Sequence, residues 1–117
     1  MTSLRTLIID DEPHAIEVIK KYAGQIREIQ LQGTFANAVT AFQELRKNET
    51  DLIFLDINMP GLSGTELVRS LQNPPLVIFT TAHQEYAVEG FELNAVDYLL
   101  KPISFDRFLR AIDKVMN

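Results

Sequence analysis

Three acidic residues in two places carry the first chemical signal of the chain. Asp10-Asp11 directly follows the apolar run Leu7-Ile8-Ile9, and Asp56 directly follows Leu52-Ile53-Phe54-Leu55. Each run reads as a buried strand that ends in a carboxylate. If the two strands are parallel neighbours, their C-terminal ends deliver all three acids to one edge of one sheet, where open α/β sheets bind their ligands. Carboxylates about 4 Å apart repel by roughly 4 kcal/mol at an effective dielectric of about 20, so a protein that collects three must hold a cation or raise their pKa values. Lys101-Pro102, at the end of another apolar run, supplies an ammonium to the same edge. Three carboxylates and one ammonium leave about −2, which suits one hard divalent ion such as Mg2+ with oxygen ligands and several waters. A phosphoryl group would complete the charge balance.

The residues around these acids sharpen the expectation. Asp56 is followed by Ile57-Asn58-Met59-Pro60-Gly61, whose Pro and Gly turn the backbone away from the sheet end and leave the carboxylate exposed. Taken alone, Asp56 would simply cap that loop, and Asp10-Asp11 would complement the dipole of a following helix. The combination is what points to a reactive site. Thr80-Thr81 closes a further run at the same edge. Thr81, last before the small residue Ala82, is placed to donate its hydroxyl to an oxyanion on Asp56. Thr80 reads as a β-branched packing residue whose hydroxyl is satisfied by backbone. Taken by itself, Lys101 would be a snorkelling surface lysine.

Positioning these groups requires a sheet whose strands end together. Apolar β-rich runs at residues 4–9, 29–35, 52–55, 76–80 and 96–100 alternate with stretches of helical spacing, the pattern of a parallel sheet wrapped by helices in five β/α units. Pro13 occupies a first helical position beside the acidic pair, and Ile16, Ile19, Ala23 and Ile26 then recur on one face. Asn37 caps a second helix with Ala38, Phe42 and Leu45 on its stripe. Residues 66–71 form a short third helix that Asn73-Pro74-Pro75 ends. Ser104 caps the last helix, which carries Phe105, Phe108, Leu109, Ile112 and Val115 inward, with Asp106, Arg107, Arg110 and Lys114 on a solvated face.

At 117 residues and 46% hydrophobic content, the chain fits one domain with a real core. The absence of Cys excludes disulfides and thiolate metal sites. No apolar run approaches the roughly 18–20 residues of a membrane span, and the first residues lead into a strand without a signal-peptide pattern, so a cytoplasmic protein is expected. A net charge of −5 argues against this domain gripping nucleic acid, which is normally met by a basic face.

In order along the chain, Ile9-Asp10-Asp11-Glu12, Leu55-Asp56-Ile57-Asn58-Met59-Pro60-Gly61 with Gly64, Thr81-Ala82, and Asp97-Tyr98-Leu99-Leu100-Lys101-Pro102 resemble the receiver domain of bacterial two-component response regulators. The resemblance covers the whole chain. Phe79-Thr80-Thr81-Ala82-His83 and Asn94-Ala95-Val96-Asp97-Tyr98 further resemble the LytR/AlgR group, whose receivers usually precede a C-terminal LytTR DNA-binding domain. Residues 1–117 would then be one receiver, with that effector domain outside them. The implied fold is a doubly wound (βα)5 flavodoxin-like α/β domain, with a parallel five-stranded sheet in the order 2-1-3-4-5 and helices on both faces.

By matching position, the resemblance makes Asp56 the acceptor of a phosphoryl group from a sensor histidine kinase. It assigns Asp11 to Mg2+ directly, Asp10 through water, Asn58 through its backbone carbonyl, and Lys101 to a phosphoryl oxygen. Thr81 and Tyr98 become the switch pair that alters the surface of the fourth helix, fifth strand and fifth helix. A phosphorylation-dependent homodimer face would use Tyr86, Val88, Phe91 and the loop 93–96. His83 and Asn58 would tune the lifetime of the phosphorylated state, whereas His14 is expected at the surface. Such a domain accepts and slowly loses a phosphoryl group but is no enzyme, meets no membrane, and reaches DNA only through the absent domain. Three other readings compete: a stand-alone receiver acting by protein contact, a Mg2+-dependent aspartyl-phosphate phosphatase, and a flavodoxin-like binding module. The phosphatase reading meets Asn58 where a second acid is needed. The flavodoxin-like reading lacks a phosphate loop after the first strand.

Overall fold

Runs rich in Val, Ile, Leu and Phe prefer extended backbone, and when both faces of a sheet are covered such runs need no polar alternation. Five of them form one parallel sheet in the order β2-β1-β3-β4-β5. The strands are β1 (Leu4–Ile9), β2 (Ile29–Phe35), β3 (Leu52–Asp56), β4 (Leu76–Thr81) and β5 (Asp97–Leu100). The computed structural model describes residues 3–83 and 94–117. Tyr86, Val88, Phe91 and Leu93, which the sequence assigns to a dimer face, lie outside the described residues.

Two layers of apolar side chains sandwich the sheet. On one face Leu7, Ile9, Ile53, Leu55, Val77 and Phe79 meet α2 (Ala38–Lys47) and α3 (Gly64–Arg69). On the other, Ile8, Leu52, Phe54, Ile78 and Leu99 meet α1 (Pro13–Ala23) and the C-terminal helix Phe105–Met116. Fully burying each such side chain stabilises the fold by about 1.5–3 kcal/mol. No helix among the described residues is long and apolar enough to cross a membrane.

Helix starts are chemically specified. Pro13 stands at the head of α1; the Glu12 side chain before it makes no cap hydrogen bond, and the Glu12 backbone N–H donates to Asp10 Oδ1 at 2.9 Å. Asn37 accepts from Thr40 N, and Ser104 accepts from Arg107 N. The third helix begins two residues earlier than its apolar spacing suggests, because Ser63 and Glu66 form a reciprocal capping box.

The outer face of the C-terminal helix is a correction. Arg107 and Lys114 do not simply face water: Arg107 grips Asp97 with two hydrogen bonds of 2.8 Å, and Lys114 Nζ lies 3.0 Å from the same carboxylate. Asp97 opens β5 beneath that helix and is only 5% exposed, so both long side chains fold back to compensate it. Burial alone would raise its pKa, but the bonds from Arg107, Lys114 and the Tyr98 N–H outweigh it and hold Asp97 below the usual carboxylate value.

Candidate functional site

Strand register is what assembles the site. Ile9 pairs with Leu55 and Asp56 with Thr80, so β1, β3 and β4 end at one level. Asp10, Asp11 and Asp56 each offer a carboxylate oxygen, and these oxygens lie within 4.8 Å of one another. Asp10 is fully buried, Asp11 is exposed, and Asp56 is 4% exposed. The expectation of an exposed Asp56 therefore fails. Ala82, His83 and Lys101 from the neighbouring strand ends stand with Asp11, Glu12, Asp56 and Asn58 around a cavity of about 200 Å³, and they enclose the carboxylate.

The backbone fixes Asp56 from three sides. Its Oδ1 accepts the Asn58 N–H at 3.2 Å, the Ile57 N–H donates to Thr80 O at 3.0 Å, and the Gly64 N–H donates to Ile57 O at 2.9 Å. The start of α3 comes so close to this strand end that a Cβ on Gly64 would collide with the Asp56 carbonyl. Gly61, at φ +84°, makes the intervening left-handed turn.

Lys101 reaches the acids from β5, its N–H donating to Thr81 O at 2.7 Å and its peptide bond to Pro102 being cis. Its ammonium lies 2.9 Å from Asp10 Oδ2, 3.3 Å from Glu12 Oε1 and 3.6 Å from Asp56 Oδ2. The Glu12 contact is a directed hydrogen bond, whereas Asp10 Oδ2, though paired in charge, has no hydrogen-bond partner in good alignment. Burial alone would lower the Lys101 pKa, but Asp10 and Asp56 more than offset it and hold the ammonium above its usual value. Burial, with the Asp10 charge adding to it, pushes Asp56 up to about 7, and neither Lys101 nor the Asn58 N–H cancels that.

Crowded carboxylates, one of them holding its proton near neutrality, and a buried oxygen without a directed donor are what a cation would relieve. The donor set is all oxygen, as a hard divalent ion prefers. The residues therefore fit a metal.

Several side chains behave otherwise than their types suggest. Thr81 is buried, and its Oγ1 accepts the His83 N–H at 3.0 Å, so the hydroxyl closes its own turn and does not line the cavity. Thr80, expected to satisfy its hydroxyl on backbone, has a buried Oγ1 with no partner among the described residues. Tyr98 is half-buried against the Phe79 side of the core. His83 and Asn58 are exposed at the cavity, and exposed His14 lines an adjoining groove with Ala15, Tyr22 and Pro102 that shares Glu12, Ala82 and Lys101 with the cavity.

Two contacts are not apparent from residue type: Glu12 binds Lys101, and the Tyr22 hydroxyl donates to Ile103 O at 2.9 Å and ties α1 to the loop after Pro102. The adjacent Phe105 and Phe108, at helical spacing, were the available signal for Tyr22, since both rings pack on it. Larger grooves lie near the C-terminal ends of α2 and α3, where Arg5 is paired with Glu49 and Asp51 and where Arg46 and Lys47 also line the wall.

Residues 6–113 match the family model of the response regulator receiver domain. A response regulatory protein of Shewanella oneidensis is 41% identical over 111 residues, covering 93% of this chain and 47% of that protein. The transcriptional regulatory protein LytR of Staphylococcus aureus is 39% identical over 115 residues, covering 96% of this chain and 47% of LytR. The chain thus spans about half the length of these relatives. Among solved structures, the response regulatory domain of mrkE from Klebsiella pneumoniae superposes with a TM-score of 0.88 at 33% identity, covering 97% of this chain and 95% of that one. The receiver domain of the putative regulator NarL from Mycobacterium tuberculosis, at 22% identity and TM-score 0.86, covers 100% of this chain and 99% of that one and shares the fold.

Proposed function

The chain belongs to the response regulator receiver domain family, and from that premise we propose that Asp56 takes a phosphoryl group from the phosphohistidine of a sensor histidine kinase. The observation that carries this reading is the meeting of three carboxylates and the Lys101 ammonium at one small cavity. Asp11 and Asp56, the Asn58 backbone carbonyl, and Asp10 through water would hold Mg2+. Bound there, Mg2+ would neutralise the carboxylate and phosphoryl oxygens, which is most of what phosphoryl transfer requires.

The chain's own residues supply the rest. Ionised Asp56 provides the nucleophilic oxygen, the new O–P bond forms as the P–N bond breaks, and the electron pair returns to the imidazole, which takes its proton from solvent. Because Asp56 is pushed to about 7, the ionised form is only part of the cation-free population at neutral pH. A bound cation would favour the charged carboxylate and complete that ionisation. Lys101 then pairs with a phosphoryl oxygen. Thr81 gives up its bond to the His83 N–H and turns its hydroxyl to the phosphoryl group, and Tyr98 follows it inward. His83 and Asn58, at the mouth of the cavity, set how readily water attacks the product.

This movement alters the surface around β5 and the C-terminal helix, and a phosphorylation-dependent homodimer forms through Tyr86, Val88, Phe91 and residues 93–96. LytR of Staphylococcus aureus is a transcriptional regulator about twice as long, which supports a DNA-binding effector domain of LytTR type following this receiver in a cytoplasmic protein. Incubation with acetyl phosphate and Mg2+, followed by mass mapping, tests the acceptor: the phosphoryl group is expected on Asp56, and its appearance elsewhere overturns the assignment. A phosphatase is disfavoured because Asn58, two residues after Asp56, carries an amide that cannot serve as general acid or base.

A further inference from the structure

Two buried side-chain oxygens among the described residues lack a hydrogen-bond partner, Asp10 Oδ2 and Thr80 Oγ1. They face the same side of the sheet. Strand alternation puts Asp10 with Ile8, Thr80 with Ile78 and Lys101 with Leu99, and Ile8, Ile78 and Leu99 share the core under α1 and the C-terminal helix. Thr80 is the ladder partner of Asp56 on one side and of Leu99 on the other. Lys101 starts just past the end of β5, yet its Nζ lies 3.6 Å from Asp56 of β3 and 2.9 Å from Asp10 of β1. With β4 between β5 and β3, the lysine side chain must pass over the end of β4, on the face that Thr80 occupies.

The ammonium has three N–H donors, and only its bond to Glu12 is well directed. A phosphoryl group on Asp56 would draw the ammonium away from its misaligned contact with Asp10. Lys101 is 15% exposed at its side chain, so solvent has little access to the donors that this frees. β4, the strand that the order places between β5 and β3, carries an unpaired acceptor, the Thr80 hydroxyl, whose neutral oxygen can take a cationic N–H.

We propose that Thr80 is a positioning residue of this site: its hydroxyl oxygen accepts one N–H of Lys101 in the phosphorylated state and fixes where the ammonium meets the phosphoryl oxygen. The assignment rests on Asp56 as the phosphoacceptor.

Thr80→Val keeps the shape and removes the oxygen, while Thr80→Ser keeps the oxygen. The probes are beryllofluoride with Mg2+ as phosphoryl analogue, Mg2+ alone, and thermal unfolding. Thr80→Val is expected to lose about tenfold in beryllofluoride affinity, the range of a hydrogen bond to a charged group. Its Mg2+ affinity should be unchanged and its unfolding temperature not lowered, because an apolar isostere replaces an unpaired buried oxygen. Thr80→Ser should bind beryllofluoride as the unaltered protein does. Equal affinity of the Val variant and the unaltered protein overturns the proposal. So does a loss that Ser shares, which marks packing, or an equal fall in Mg2+ affinity, which marks the cation site. If the unaltered protein binds no beryllofluoride, the phosphoacceptor reading itself fails and this assignment falls with it; if it binds and Val matches it, only the role of Thr80 fails.

Discussion

Asp97, buried at the start of β5, and Arg107, in the first turn of the C-terminal helix, share two hydrogen bonds of 2.8 Å, and Lys114 closes on the same carboxylate at 3.0 Å. This triad clamps the edge strand that carries Tyr98 and leads to Lys101 onto the helix beside it.

Breaking the clamp from one side leaves a buried charge only partly compensated. Arg107→Ala strands Asp97, and removing one partner of a buried pair typically destabilises by about 3–5 kcal/mol. Because Arg107 keeps 31% of its side chain exposed and Lys114 still compensates Asp97, a loss nearer about 2 kcal/mol is expected in urea unfolding. The effect also depends on pH. Asp97 is held below its usual value in the folded chain, so its contribution is present above the unfolded carboxylate value of about 3.9 and lost as pH falls through the lower folded value. The gap between the unaltered protein and Arg107→Ala should accordingly narrow in acid, and a gap independent of pH would contradict the clamp.

Gly64 controls Asp56 through backbone alone. A Cβ at this position collides with the Asp56 carbonyl, so Gly64→Ala must push α3 and the strand end apart. Displacing a reacting group by about 1 Å can reduce rate on the order of 10²-fold. Labelling by acetyl phosphate should fall far more than the overall fold weakens. Unchanged labelling kinetics would show that the strand end absorbs the methyl group without moving its carboxylate.

How much of this is legible in the sequence depends on the range over which each signal acts. Asp10, Asp11, Asp56 and Lys101 each abut an apolar run, so a parallel sheet brings them together whatever the helices do. Asn37 and Ser104 announce their helices because capping is local. Arg107 and Lys114 read as solvated because their partner Asp97 lies in another element, and periodicity carries no information about a lone buried acid under a helix. Asp56 reads as exposed because its own loop turns away, while the residues that enclose it come from β4 and β5. The Thr81 hydroxyl, in turn, is engaged by the N–H of His83 only two residues on, a choice that backbone conformation makes and residue type does not.

Asp11 is the one exposed member of the carboxylate cluster and the acid expected to meet the cation directly. Asp11→Ala should abolish Mg2+ binding measured by calorimetry, and with it Mg2+-dependent labelling. The apo fold should hold or gain stability, because one like charge leaves a crowded site. Retained Mg2+ affinity would remove Asp11 from the ligand set.

Asp56 itself should destabilise the cation-free protein as pH rises. Its folded value of about 7 lies above the ordinary 3.8, so between these values the folded chain holds a proton that the unfolded chain releases. Folding stability then falls with rising pH across that window and levels off above it. Asp56→Asn, which cannot ionise, should remove this slope. Without divalent cation it should unfold at a higher temperature than the unaltered protein at pH 8, by several degrees if about 1 kcal/mol is recovered, with little difference at pH 4. Excess Mg2+ should close the difference at pH 8, because the cation compensates the charge that the amide lacks. The same variant should take no label from acetyl phosphate. Equal unfolding temperatures at pH 8 without cation would mean that Asp56 ionises in the folded chain as easily as in water, and that the strain at this site lies elsewhere.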